Sequence, residues 1–119
     1  RGVGTRGELR GPDPAANPYL VLAACLEAGL DGIRNQITPP DAVTENVFEM
    51  QLQQRAKLGI ESLPGDLEQA VEELEKDDYI KNVLGGHITE KYLEAKRAEW
   101  ADYRAQVTGW EIDNYLYKI

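Results

Sequence analysis

Cysteine and histidine are nearly absent from these 119 residues, with one of each. A single thiol, Cys25, cannot close an internal disulfide, so nothing here calls for an oxidising compartment. His87 has no second His or Cys at ligand spacing and reads as a cap or surface residue rather than a metal ligand. No run approaches the ~20 consecutive apolar residues of a membrane span, and the opening residues hold no signal-peptide h-region. Basic residues are also scarce: 13 Lys+Arg stand against 21 Asp+Glu, for a formal net charge of −8 and a pI near 4.6. That balance argues against a nucleic-acid partner held by its phosphates. An initiator Met is missing as well. The chain opens at Arg1 in what reads as structure, so we expect a fragment of a longer protein.

What is present is a globular composition. Apolar residues reach 42%, too many for a disordered chain. A chain of this length can bury roughly 65% of its unfolded surface, which suffices for one modest core.

Residues 1–10, RGVGTRGELR, read as a strand whose period of two puts Arg6, Glu8 and Arg10 on one face. Gly7 weakens that strand because it has no side chain to pack. A Pro-rich turn follows, and Asn17-Pro18 reads as an N-cap with Pro at the first helical position. The helix over 18–35 repeats Tyr19, Leu22, Ala23, Leu26, Leu30 and Ile33 at spacings of three and four. It is apolar nearly all round, which predicts burial between layers, with Cys25 as a small buried hydrophobe. Gly29 and Gly32 allow close packing or begin its end.

Residues 36–65 read as an irregular connection broken by Pro39-Pro40 and Pro64-Gly65. Helices are expected over 66–108. Asp66 and Gln69 form a capping box for a helix with an apolar stripe of Leu67, Ala70, Val71 and Leu74. A short segment, Tyr79 to Leu84, ends at Gly85-Gly86. A long helix from about Thr89 to Val107 turns Tyr92, Ala95, Trp100, Tyr103 and Val107 inward. Gly109 interrupts it, and residues 110–119 form a tail. A lone strand with nothing to pair with implies a missing sheet.

Two arginines flanking a carboxylate on one strand face can hold an anion and a divalent cation together. The guanidinium forks bind phosphate or carboxylate oxygens, and the carboxylate ligates Mg²⁺ or Mn²⁺. Phosphoryl transfer needs that combination. On spacing alone, a solvated strand face with weak cross-strand ion pairs is the better fit. The acidic run Glu68, Glu72, Glu73, Glu75, Asp77, Asp78 is a solvated helix face without the turn glycine and ligand alternation of a calcium loop. Trp110 and the residues after it have no obvious place in a core built from this chain.

The motifs RGELR (6–10), PDPAANPYL (12–20) and AGLDGIRN (28–35) resemble the last part of bacterial type I glutamine synthetases. LEQAVEELEKDD, LGGHI and AKRAEWADYRAQVTGWEIDNY match the same family in order, so the likeness covers essentially the whole chain.

The resemblance implies an α+β fold: the C-terminal part of a catalytic domain, one strand followed by four or five helices. It implies an ATP-dependent ligase joining glutamate and ammonia through γ-glutamyl phosphate, with Mg²⁺ or Mn²⁺. On matching positions Glu8 is the metal ligand, Arg6 contacts the ATP phosphates, and Arg10 holds the glutamate carboxylate or the transferring phosphoryl. The tail residues Trp110, Ile112, Tyr115, Leu116 and Ile119 correspond to a contact between hexameric rings of a cytoplasmic dodecamer.

Gly7 stands where the family usually has Val or Ile, and Gly11 where it often has Ser. Phe48 matches the Tyr that one branch adenylylates; lacking the hydroxyl, it cannot be modified that way. The segment 39–64 instead resembles the branch governed by glutamine feedback and a transcriptional regulator. With most of the family's site outside these residues, the chain alone is expected to be inactive. The competing expectation is a non-catalytic helical interaction module, which would keep the aromatic tail and dispense with Arg6, Glu8 and Arg10.

Overall fold

The computed structural model describes residue 4, residues 7–116 and residue 118. The chain divides into two compact units, Arg1–Pro40 and Asp41–Ile119.

In the first unit Asp13 organises the Pro-rich turn. Its carboxylate accepts from the Ala15 amide at 2.7 Å and its carbonyl from the Ala16 amide at 2.9 Å. Asn17 then caps helix α1, Pro18–Arg34, accepting from the amides of Tyr19 and Leu20 at 3.0 and 3.3 Å. Pro18 at N1 loses no hydrogen bond there, because the first amides of a helix have no internal partner.

The far end of α1 is closed by two reverse bonds. The Gln36 amide donates to the Ile33 carbonyl at 3.3 Å and the Ile37 amide to Gly32 at 2.9 Å. This is the 5→2 and 6→1 pattern of a Schellman cap, and it places Gln36 at φ 51°. Gly29 and Gly32 therefore lie inside the helix and do not end it, and the space beside each is open.

Burial of α1 is not found within this chain. None of its residues is buried, and Tyr19, Leu22, Leu26 and Ile33 are between 64% and 81% exposed. Cys25, expected inside, is exposed. A helix apolar on most of its sides needs cover on more than one of them.

The strand expected over 1–10 is not formed among the described residues; 7–10 have no regular structure. The physical reason is the one already visible in the sequence, the lack of a ladder partner.

The second unit carries the core. Within the connection expected to be irregular, a short helix α2 forms at Leu52–Lys57. It ends in a Schellman cap on Gly59 at φ 66°, with the Gly59 and Ile60 amides donating to Ala56 and Arg55. Before it, Asn46 braces a turn through its side chain, accepting from the Phe48 amide at 3.2 Å and donating to Glu49 at 2.9 Å. Met50 is buried there, whereas Phe48 is 99% exposed.

Helix α3, Leu67–Lys76, starts behind Asp66, whose carboxylate accepts from the Gln69 amide at 2.8 Å. Gln69 reaches back to the Gly65 amide at 3.1 Å, one residue before the usual capping-box partner. Asp77 ends α3 and caps helix α4, Asp78–Leu84, accepting from the Ile80 amide at 3.0 Å. Gly85, at φ 80° and ψ 151°, turns the chain directly into helix α5, Gly86–Arg104. Only glycine adopts that backbone cheaply.

Helices α3, α4 and α5 pack on one another. Val71 and Leu93 are buried between them with Thr89, whose hydroxyl donates to the Lys81 carbonyl at 3.3 Å. The Lys81 ammonium, half-buried, donates to the Glu75 carbonyl at 2.5 Å and so closes the end of α3. The inner face of α5 is thus Thr89, Leu93, Lys96 and Trp100, buried or half-buried at spacings of four, three and four. Tyr92 and Trp100 are half-buried as expected, while Ala95, Tyr103 and Val107 are exposed. The helix begins three residues earlier than its apolar pattern suggested and ends three earlier, so Val107 lies beyond it.

Thr108 then starts helix α6, Gly109–Glu111, followed by a π-helical turn, Ile112–Leu116.

Candidate functional site

Of the three opening residues predicted to carry chemistry, Arg6 lies outside the described residues. Glu8 and Arg10 are brought together: the Arg10 Nε donates to the Glu8 carboxylate at 2.8 Å. Residues two apart share a side of an extended chain, which is how the Glu-x-Arg spacing brings Glu8 and Arg10 together. Both side chains are open to solvent, at 86% for Arg10 and 56% for Glu8. An ion pair that exposed is worth under about 1 kcal/mol, so it does not lock either group. Arg10 therefore retains a guanidinium fork able to take a carboxylate or phosphate bidentately, beside a carboxylate able to take a hard cation.

The pair does not make a metal centre by itself. Among the described residues, no group of three His, Cys, Asp or Glu side chains is placed to hold an ion.

The predicted tail residues fall on α6 and the π-helical turn. Trp110, Tyr115 and Leu116 are exposed and Ile112 is only slightly more covered. Trp110 and Tyr115 meet edge to face, 5.6 Å between ring centres. Ile119 lies outside the described residues. The tail owes its start to a feature the sequence reading passed over. Thr108 and Glu111 form a full capping box, with the Thr108 amide donating to Glu111 at 2.7 Å and the Glu111 amide to the Thr108 hydroxyl at 3.2 Å. The Thr-x-x-Glu spacing was the available signal. Those bonds from Thr108 hold the Glu111 carboxyl below its ordinary 4.5.

The acidic run is more than a solvated face. Glu75 pairs with Arg97, and Glu68 lies 3.9 Å from Arg104, so two ion pairs tie α3 to α5. Glu73 pairs with Lys76 at 2.8 Å, and Asp78 with Lys81 at 2.7 Å. The bond from Lys81 and its charge hold the Asp78 carboxyl below its ordinary 3.8. A shallow groove of about 480 Å³ runs between α3 and α5, lined by Val71, Trp100 and the Glu75–Arg97 and Glu68–Arg104 pairs. His87 is exposed in the first turn of α5.

No helix among the described residues is long and apolar enough to cross a membrane.

Comparison with known proteins assigns this arrangement. The family described as "Glutamine synthetase, catalytic domain" matches residues 1–115. The glutamine synthetase of Thermotoga maritima is 54% identical over 117 residues, which are 98% of this chain and 27% of the relative. That of Clostridium saccharobutylicum is 51% identical over 118 residues, 99% of this chain and 27% of the relative. That of Methanocaldococcus jannaschii is 51% identical over 116, 98% of this chain and 26% of the relative. A solved structure described as a GmaS/ADP complex superposes with a TM-score of 0.77 at 42% identity, covering 91% of this chain and 24% of that one. This chain spans about a quarter of the length of the curated relatives it matches. Its exposed Glu8–Arg10 pair and its uncovered α1 are the features of a piece of a larger catalytic fold, and with the match running from the first residue to Tyr115 the chain belongs to the glutamine synthetase catalytic-domain family.

Proposed function

We propose that this chain supplies the C-terminal part of an ATP-dependent glutamate–ammonia ligase that makes glutamine through γ-glutamyl phosphate. The observation that carries the proposal is the continuous family match over residues 1–115, which includes the Arg-x-Glu-x-Arg segment itself.

In this reading Arg10 positions the glutamate carboxylate or the transferring phosphoryl, because a free guanidinium fork fits either group. Arg6 contacts the ATP phosphates, a role in keeping with the ADP of the solved relative. Glu8 is a hard-oxygen donor suited to Mg²⁺ or Mn²⁺ and fits as one ligand of such an ion. The remaining ligands are not among the described residues. A bound divalent ion neutralises phosphate charge during phosphoryl transfer.

The other assignments follow from the same likeness. Residues 1–10 are the active-site strand, which gains its ladder partners from the rest of the domain. Residues 18–35 become a buried helix there, 36–65 a connection and 66–108 a helical layer. Trp110, Ile112, Tyr115, Leu116 and Ile119 contact the opposite ring of a cytoplasmic dodecamer of two hexamers. Phe48 removes adenylylation as a control, leaving glutamine feedback and a transcriptional regulator.

The experiment is a chimera. This chain replaces the corresponding quarter of the Thermotoga maritima relative, and glutamine formation is assayed. We expect turnover from the chimera, loss of at least about a hundredfold with Glu8→Gln or Arg10→Ala, in line with removing an electrostatic contact to a reacting group, and none from the 119-residue chain. Equal turnover in the Glu8→Gln chimera overturns the role of that residue, and turnover by the chain alone overturns its dependence on the rest of the enzyme.

A further inference from the structure

The bond between Glu8 and Arg10 uses one atom of each group. Arg10 Nε donates to Glu8 Oε1 at 2.8 Å, and neither side chain has a second bond or ion pair to a described residue. A guanidinium offers an anion two edges for a pair of parallel hydrogen bonds. One is the side edge, Nε with an Nη, and the other is the end edge, Nη1 with Nη2. Glu8 already holds Nε, so the end edge is the one left whole. On the carboxylate, Oε2 stays outside the bond and is open to a hard cation.

By charge alone, Glu8 is a poor neighbour for an arginine that binds an anion, because it repels the same ligand. What it contributes is direction. Arg10 is 86% exposed, and a long side chain in that state samples many rotamers. Residues 7–10 have no regular structure, and Gly7 and Gly11 bring no side chain to pack on the arginine. Among the described residues, Glu8 is the group that restrains it.

We propose that Glu8 is a positioning residue for Arg10: by holding Nε it presents the Nη1–Nη2 edge to the bound anion, a carboxylate or a phosphoryl group. The anion's place in a reaction rests on the ligase reading. The positioning belongs to the pair itself and is tested without turnover.

The test uses the Thermotoga maritima chimera with no divalent ion present, titrated calorimetrically with glutamate and, separately, with inorganic phosphate. Glu8→Gln and Glu8→Met lose the same charge and keep nearly the same length. They differ in the oxygen that accepts from Nε. Glu8→Gln is expected to bind the anion about two- to fivefold more tightly than Glu8→Met, the range an exposed pair supplies. A difference with glutamate alone identifies a carboxylate on the end edge, and one with phosphate alone identifies a phosphoryl group. A second arm uses the 119-residue chain with 15N-labelled arginine. The Arg10 Nε–H resonance is expected to be similar in the wild type and Glu8→Gln and to move in Glu8→Met. Circular dichroism checks that the helices are unchanged, as the exposure of Glu8 predicts.

Equal or reversed affinities of the two variants for both anions overturn the proposal. So does a wild-type chimera that binds neither anion without the cation, or an Arg10 resonance indifferent to the residue at position 8. A chimera that makes no glutamine while its variants still differ in binding refutes the ligase reading and upholds the positioning.

Discussion

Residues 41–119 bury the apolar faces of three helices against one another, while residues 1–40 hold a 17-residue helix with only three charged side chains and leave its main stripe in solvent. Helix α3 has five charged residues in ten, and α1 has three in seventeen. Yet α3 and α5 supply Val71 and Leu93 to a core, and α1 buries nothing. Charge divides the same way. The first 40 residues balance four against four, and the remaining 79 carry 17 acidic against nine basic side chains, the whole net charge of the protein. Hydrophobicity alone therefore does not decide what is buried here. Within residues 41–119, what decides it is that neighbouring helices present faces to one another.

The sharpest way to break that contrast is to truncate one leucine in each unit in turn. Leu93→Ala is expected to cost about 2–4 kcal/mol, the usual loss for a buried leucine. Leu22→Ala is expected to stay within about 0.5 kcal/mol for a dilute chain, as at an exposed position. Urea denaturation followed by circular dichroism measures both, and equal costs would erase the distinction.

A second effect isolates backbone from packing. Gly85 joins α4 to α5 in a conformation reserved for glycine, and a methyl group there would meet open space. Gly85→Ala should thus destabilise the second unit by about 1–3 kcal/mol through backbone strain alone. A neutral substitution would mean that the joint adopts another conformation.

The two Schellman caps offer a smaller comparison. Gly59 closes α2 in the left-handed region, whereas Gln36 does the same work for α1. Gln36→Gly should relieve about 1 kcal/mol, the order of the left-handed penalty for a side chain. Slower hydrogen exchange at the Gln36 and Ile37 amides would register it.

Much of this was legible in the sequence, and the misses share a cause. The caps at Asn17, Asp66 and Asp77 are local chemistry: a short polar side chain meets an amide two or three residues on, and the first two could be read directly. The Thr108–Glu111 box follows the same rule and went unread because Gly109 looked like an interruption. The inner face of α5 was misplaced because aromatic Tyr103 outweighed Thr89 and Leu93 as a marker of burial. Cys25 and the helix around it were expected inside because composition reports a need for cover without saying who provides it. For the candidate site, spacing placed Glu8 and Arg10 together, and the structure pairs them. Among the described residues no further side chains gather with Glu8 to form a metal-holding group, so spacing had no others to mark.

Titration gives the mildest effect. Asp78 and Glu111 have carboxyls held below their ordinary values of 3.8 and 4.5. A lowered folded value adds stability above the unfolded one and loses it as pH falls through the folded one. The tail cap should therefore fray below about pH 4.5, seen as a change in Trp110 fluorescence. Thr108→Ala removes the hydroxyl bond but keeps the Thr108 amide, the larger cause, so it should weaken the pH dependence without abolishing it.

The central claim is that α3, α4 and α5 share a core whereas α1 buries none of its residues. Hydrogen exchange of the 119-residue chain tests it most directly. Amides of α3 and α5 should be strongly protected and those of α1 only weakly. Protection of α1 matching that of α5 would contradict it.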